Sequence, residues 1–229
     1  MPTHKRFTHV IFDLDGTLVN SLEDIADACN RMLARHGYPT HGLRDYCYFV
    51  GNGAARLVER ALPPQARTPE LLASLLAEYN EDYRQNNAVK TCAYDGIPEV
   101  LEQVKRAGIG IAVLTNKPDD TAGPVMEQYY PGVFPLVRGG LPGVPLKPDP
   151  APVRALMEQM GADRESTLFI GDSNVDIQTG KNSGIAACGV LWGFRTREEL
   201  EQEGADYIAA TPAELLAIIL GENKLESCV

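Results

Sequence analysis

The sequence contains no apolar run near the roughly 20 residues that a membrane span needs. It is also poor in positive charge, with 21 Lys plus Arg against 31 Asp plus Glu and a formal net charge of −10. Such a surface repels a duplex backbone, so neither membrane nor nucleic acid is an expected partner. A small anionic substrate remains possible, because it needs only a local cluster of donors. No C-x-x-C pair occurs: the five cysteines, Cys29, Cys47, Cys92, Cys188 and Cys228, are odd in number and scattered. They predict reduced thiols, with no disulfide frame and no zinc site. An uninterrupted apolar segment behind His4, Lys5 and Arg6 is missing too, since Asp13 and Asp15 break it, and a signal peptide is therefore not expected. These absences together predict a cytoplasmic protein.

What is present is an ordinary globular composition, 44% hydrophobic and 23% charged over 229 residues, ample for a real core. Val10-Ile11-Phe12 before Asp13 reads as a buried strand ending in charge. Three helical stripes follow. Ser21 and Asp24 have capping-box spacing ahead of Leu22, Ile25, Cys29, Met32 and Leu33, and Gly37 and Pro39 end that helix. The second stripe is Ala54, Leu57, Val58, Ala61 and Leu62; the third is Leu72, Leu75, Leu76, Tyr79 and Tyr83, all read as packing. From Tyr94 the pattern alternates. Helices are predicted from Pro98 to Gly108, Pro150 to Met160, Ile177 to Ser183 and Thr211 to Ile219, with strands at 109–114, 167–170 and 185–191. Such alternation predicts a Rossmann-like α/β fold, a parallel sheet with helices on both faces. The helical block interrupts it, so residues 1–19 and 86–229 are expected to form a discontinuous core and 20–85 a small all-helical insert. The polar tail after Gly221 is expected to fray.

Ligands of an open parallel sheet bind at the carboxyl ends of its strands. Those ends carry Asp13 and Asp15, then Thr115 and Asn116, then Asp172 with Asp176 four residues on, while Lys147 lies in the loop before a helix. Gathered carboxylates repel one another unless a cation neutralises them. Oxygen ligands without His or Cys point to Mg²⁺, which leaves room for water and phosphate oxygens. A metal beside a carboxylate, a hydroxyl and a lysine suits phosphoryl transfer, and an Asp is able to serve as covalent nucleophile.

These residues resemble the haloacid dehalogenase-like phosphohydrolase superfamily, in order and across essentially the whole chain. Asp13-Leu14-Asp15-Gly16-Thr17 looks like its first motif, Leu114-Thr115-Asn116 its second, Lys147-Pro148 its third and Gly171-Asp172-Ser173-Asn174-Val175-Asp176 its fourth. The resemblance implies that Asp13 attacks phosphorus to form an aspartyl phosphate and that Asp15 is the general acid and base. It also implies that Thr115 and the Asn116 amide hold phosphate oxygens and that Lys147 offsets charge. Mg²⁺ would be held by the Asp13 side chain, the Asp15 carbonyl and Asp172, with Asp176 supporting it directly or through water. The insert looks like the family's small helical cap, which closes over substrate.

Within the insert, Val50-Gly51-Asn52-Gly53-Ala54 with Arg56 and Arg60 resembles the phosphoglycolate phosphatases, as does Thr115-Asn116-Lys117-Pro118. Gly51, Asn52 and Arg56 thereby become candidate substrate contacts; alternatively Arg56 and Arg60, one helical turn apart, merely pair with Glu59 on a solvated face. Trp192-Gly193-Phe194-Arg195 either borders the site or anchors an aromatic, and His36 reads as a helix-end residue. Asn20 stands where many relatives have Asp, and the Gly/Pro-rich stretch 139–146 leaves the path to Lys147 open.

The expected activity is Mg²⁺-dependent hydrolysis of small organic phosphates, phosphoglycolate first. Rivals are other small phosphates or pyrophosphate, a β-phosphoglucomutase-like mutase, which Thr17 disfavours, and a non-catalytic binding protein on the same fold, which retention of Asp13, Asp15 and Lys147 disfavours. The sequence does not decide between monomer and weak homodimer.

Overall fold

A computed structural model describes residues 7–222. The expectations for His4, Lys5, Arg6, Cys228 and the tail beyond Glu222 lie outside these residues. The chain opens with strand β1 (His9–Phe12) and a short strand β2 (Val19–Asn20), then makes helices α1 (Leu22–Arg35), α2 (Leu43–Phe49), α3 (Ala54–Ala61) and α4 (Pro69–Asn86). Strand β3 (Cys92–Ala93) follows, then α5 (Ile97–Arg106), β4 (Gly110–Pro118), α6 (Asp119–Tyr129), β5 (Val137–Gly140) and α7 (Ala151–Met160). The last third is β6 (Thr167–Gly171), α8 (Asn174–Ser183), β7 (Ala186–Val190), α9 (Arg197–Gln202), β8 (Tyr207–Ala209) and α10 (Pro212–Leu220).

Six strands form one sheet in the order β5-β4-β1-β6-β7-β8, with every neighbouring pair parallel. In the central strand Val10 lies opposite Ile111 on one side and Leu168 on the other. Alternate residues of these strands serve opposite faces. Val10, Phe12, Ile111, Val113 and Ile170 pack with Leu101 of α5, Val125 of α6 and Leu215 of α10. Ile11, Ala112, Leu114 and Phe169 pack with Val153, Leu156 and Met157 of α7. Both faces are thus out of water along β1, β4 and β6, which is why these three strands read as continuous apolar runs and not as alternations. Strand order reverses at β1, so a crevice opens at its carboxyl end, between β4 and β6.

The four helices α1 to α4 bury a separate cluster that includes Met32, Tyr46, Leu57, Leu62, Leu75 and Tyr79. The chain enters this block along β2 and leaves along β3, which pair antiparallel, Val19 opposite Ala93 and Asn20 opposite Cys92. The capping-box spacing of Ser21 and Asp24 does not produce a side-chain cap. Ser21 bonds to Asp15 instead, and Asp24 accepts the backbone N–H groups of Lys90 and Thr91 at 3.0 and 2.8 Å together with the Thr91 hydroxyl. Asp24 therefore ties α1 to the returning chain. Helices α2, α6 and α9 and strands β5 and β8 go beyond the sequence expectation; α6 carries Gly123 and Pro124 in its interior, and β5 ends in two glycines. Strand β4 runs on through Thr115-Asn116-Lys117 to Pro118. His36 does end α1, where its Nε2 pairs with Glu78 at 2.7 Å. No helix among the described residues is long and apolar enough to cross a membrane.

Arg31 and Arg35 of α1 both grip Asp82 of α4, through Arg31 Nε at 3.0 Å and Arg35 Nη2 at 3.2 Å. The hydrogen bonds from Arg31 hold the Asp82 carboxyl below its ordinary range. A depressed native pKa contributes stability that is complete above the unfolded value near 3.9 and is lost as pH falls through the native value. Asp82→Asn is therefore expected to cost about 1–2 kcal/mol at neutral pH and clearly less at pH 3. Urea unfolding at the two pH values checks this; an equal loss at both would show that the ion pairs are not responsible.

Candidate active site

Asp13 is the first residue past β1, and its N–H bonds to the Ile170 carbonyl at 2.8 Å, which fixes it beside β6 at the crevice. Its Oδ1 accepts the Leu14 N–H at 2.7 Å and lies 2.9 Å from Lys147 Nζ. Lys147 also donates to Asp176 Oδ1 at 2.7 Å. Asn116 holds the lysine loop: its Oδ1 accepts from Lys147 N at 2.8 Å and its Nδ2 donates to Lys147 O at 2.9 Å. The same Nδ2 reaches the Gly51 carbonyl at 3.0 Å, so this one amide joins β4, the lysine loop and the helical block. The path through the Gly/Pro-rich stretch is thus settled by a side chain that sequence reasoning had placed on phosphate through its amide.

Asp172 follows β6 and accepts the Phe194 N–H on Oδ2 at 2.7 Å, while the Thr17 hydroxyl stands 3.5 Å from Oδ1. Its seat requires glycines. A Cβ on Gly193 would lie 2.2 Å from Asp172 Cβ, and one on Gly16, where φ is +84°, would lie 2.4 Å from Oδ2. The 192–195 segment both anchors and borders: the Trp192 indole N–H donates to the Thr17 carbonyl at 3.1 Å, and Phe194 and Arg195 line the cavity. Asp176, in the first turn of α8, accepts the N–H and hydroxyl of Ser173 on Oδ2 at 3.0 and 2.6 Å, which starts this helix three residues earlier than Ile177.

Asp13, Asp172 and Asp176 each place a carboxylate oxygen within 4.8 Å of the others. Burial, reinforced by Asp176, pushes Asp13 up to about 7 against the opposing pull of Lys147. Burial likewise holds Asp172 well above the carboxylate range, with Asp176 and Asp13 adding to it. Lys147 is buried, which acts against its charge, yet Asp13 and Asp176 outweigh this and raise its pKa. The cluster is short of positive charge. Its donors are all hard oxygens, and Asp172 Oδ1 has only one long contact, so the set fits a hard divalent cation. Both oxygens of Asp176 are already engaged, which makes Asp13 and Asp172 the freer ligands.

Asp15 turns away from this cluster. Its Oδ1 accepts from the Ser21 hydroxyl at 2.5 Å and from Lys117 Nζ at 2.9 Å, and its Oδ2 has no protein partner among the described residues. Lys117 Nζ also donates to the Tyr83 hydroxyl at 2.5 Å and sits 4.5 Å above the Tyr83 ring. Sequence reasoning assigns Ser21 only a capping role and Tyr83 only a packing role, and it assigns Lys117 no contact in the site. The signal for Lys117 was its place directly after Thr115-Asn116 at a strand end.

One cavity collects Asp13, Asp15, Thr115, Asn116, Asp172 and Gly51, under a roof that includes Leu57, Tyr79 and Tyr83. Lys147 and Asp176 adjoin Asp13. Asn52 and Arg56 are not brought to it. They line a separate surface depression with Glu59, Arg60 and Arg67; Arg56 pairs with Glu59, and Arg60 donates to Asn52 Oδ1 at 2.8 Å. The reason is helical phase: Ala54 and Leu57 of α3 face the cavity, and Arg56 lies about 100° of turn from Leu57.

Comparison with known proteins agrees with this geometry. The phosphoglycolate phosphatase of Pseudomonas putida is 35% identical over 87% of this chain and 75% of its own length. That of Colwellia psychrerythraea is 34% identical over 90% of this chain and 94% of its own. A solved structure from Lactobacillus delbrueckii subsp. bulgaricus superposes with a TM-score of 0.90 at 28% identity, covering 95% of this chain and all of that one. The family pattern described as haloacid dehalogenase-like hydrolase matches residues 10–190, a span that holds every acidic residue of the cavity. The chain therefore belongs to the haloacid dehalogenase-like hydrolases, as a phosphatase of that family.

Proposed function

We propose that the protein is a Mg²⁺-dependent phosphomonoesterase that works through an aspartyl phosphate on Asp13, with 2-phosphoglycolate as substrate. The observation that carries this reading is the division of labour between two nearby carboxylates. Asp13 is held against Lys147 in the acidic cluster, while Asp15, two residues on, presents a free Oδ2 to the same cavity. A carboxylate oxygen of Asp13 attacks phosphorus as the bond to the substrate's bridging oxygen breaks, and Asp15 gives that oxygen its proton. Asp15 then removes a proton from water, whose oxygen attacks phosphorus as the bond from phosphorus to Asp13 breaks, releasing phosphate and restoring the Asp13 carboxylate. Lys147 and the Thr115 hydroxyl stabilise the charge that spreads over the phosphoryl oxygens. Bound at Asp13 and Asp172, Mg²⁺ would neutralise the facing carboxylates and the phosphoryl group.

Residues 20–85 are read as a helical cap inserted into an α/β core made by the rest of the chain. Contacts from Asn116 to Gly51, and from Arg195 to the Cys47 and Val50 carbonyls, fit a cap that seals the cavity from bulk water. The named relatives support 2-phosphoglycolate as the substrate.

The test is phosphate release from 2-phosphoglycolate, sugar phosphates, nucleotides and pyrophosphate, each with Mg²⁺ and with chelator. We expect kcat/KM for 2-phosphoglycolate to exceed the others by at least about tenfold, and chelation to remove activity throughout. Broad, metal-dependent hydrolysis would keep the mechanism and discard the substrate. Undiminished activity after complete chelation would overturn the metal-dependent reading.

A further inference from the structure

We infer that Lys117, together with the Tyr83 hydroxyl, is a subsite for a carboxylate carried on the substrate's leaving group, and so selects phosphate esters of short 2-hydroxy acids. This rests on the preceding reading of Asp15 as the proton donor to the bridging oxygen. The ammonium of Lys117 touches Asp15 at 2.9 Å, which places it on the leaving-group side of the cavity and not on the phosphoryl side. In a 2-hydroxy-acid ester, the carboxylate is attached to the carbon that bears the bridging oxygen, so it arrives beside the group that protonates that oxygen.

The donors at this point are incomplete. The Lys117 side chain is 2% exposed, and of its three N–H groups one bonds to Asp15 and one to Tyr83. The third has no protein acceptor among the described residues. Tyr83 receives the lysine's hydrogen bond, and its own O–H has no acceptor there either; burial holds the phenol well above its ordinary pKa, so it keeps that proton. Two adjacent donors, one of them charged, match the two oxygens of a carboxylate.

The other cations nearby are already engaged. Lys147 is shared by Asp13 and Asp176, and Arg195 bonds to the Cys47 and Val50 carbonyls with its guanidinium over the Tyr48 ring. Ile25, Leu57 and Tyr79 supply apolar wall, which excludes water and strengthens any charge pairing made there. Tyr83 belongs to α4 and Lys117 to β4, so the subsite is complete only while the helical block is seated on the sheet.

The test compares 2-phosphoglycolate with ethyl phosphate, which carries the same phosphoryl group and no carboxylate, and reads the ratio of the two kcat/KM values. Lys117 touches Asp15, so activity common to both substrates will also move; the ratio removes that effect. We expect Lys117→Met to lower the ratio on the order of 100-fold and Tyr83→Phe to lower it about tenfold, with Lys117→Arg keeping most of it. Thermal melting confirms that each variant is folded. A ratio unchanged in Lys117→Met, with wild-type preference for 2-phosphoglycolate intact, would overturn the subsite alone. A wild type with no preference between the two esters would overturn the substrate reading and the subsite with it.

Discussion

Asp13→Asn is expected to lose at least about 10⁴-fold in phosphate release while its melting temperature stays within a few degrees of the wild type. The amide keeps the shape of the side chain and an oxygen to accept the Leu14 N–H, but it has no anionic oxygen to attack phosphorus. The covalent step makes a sharper demand than the rate alone. Wild-type protein mixed with radiolabelled substrate and quenched in acid should retain label on the chain, and Asp13→Asn should retain none. Label retained by the variant would remove Asp13 from the role of nucleophile, whatever happened to turnover.

Lys147→Gln is expected to have the second largest effect, and on two observables at once. Its ammonium stands between Asp13 and Asp176 at 2.9 and 2.7 Å, with the lysine side chain 2% exposed. Without it, three carboxylates face one another with no protein cation among them. Breaking a buried pair by deleting one partner costs about 3–5 kcal/mol. For a chain of this size that is a drop of roughly 6–20 °C in Tm in chelator. Activity should fall about 10³-fold, as for loss of a principal transition-state charge. Millimolar Mg²⁺ should restore more of the lost Tm in the variant than it adds to the wild type, because there it takes over the compensation that the ammonium supplied. A variant that melts with the wild type in chelator would mean that the lysine does not hold the cluster together.

The architecture was legible in the sequence because a parallel sheet covered on both faces writes itself as apolar runs with charge at their ends. Val10-Ile11-Phe12 before Asp13 and Thr167 to Ile170 before Gly171-Asp172 are such runs, and the residues beyond them are those that line or underlie the cavity. The less legible elements lack that signature. Helix α6 has Gly123 and Pro124 inside it, and β5 reads Val-Arg-Gly-Gly, so neither has a clear period. Ser21 and Asp24 show how local spacing misleads: three residues apart ahead of a helix, they are spent on Asp15 and on the returning chain at Thr91. Lys117 and Tyr83 lie 34 residues apart, and nothing short of the tertiary fold could have shown that they share a hydrogen bond. Arg56 and Asn52 illustrate the reverse, since proximity in sequence to Gly51 did not place them beside it in the cavity.

The short ladder between Val19-Asn20 and Cys92-Ala93 has a wider consequence. It brings the start and finish of the helical block side by side, so the sheet perceives 71 intervening residues much as it would a tight turn. Closing a long loop costs only slightly more than closing a short one, since the penalty grows with the logarithm of length. An ancestor of this chain could therefore exchange one block for another of different size, or shed it, without altering the register of the six strands. What varies in size is then confined between the two residue pairs of β2 and β3, while the seated block meets the core again through side chains such as Asn116, Lys117 and Arg195.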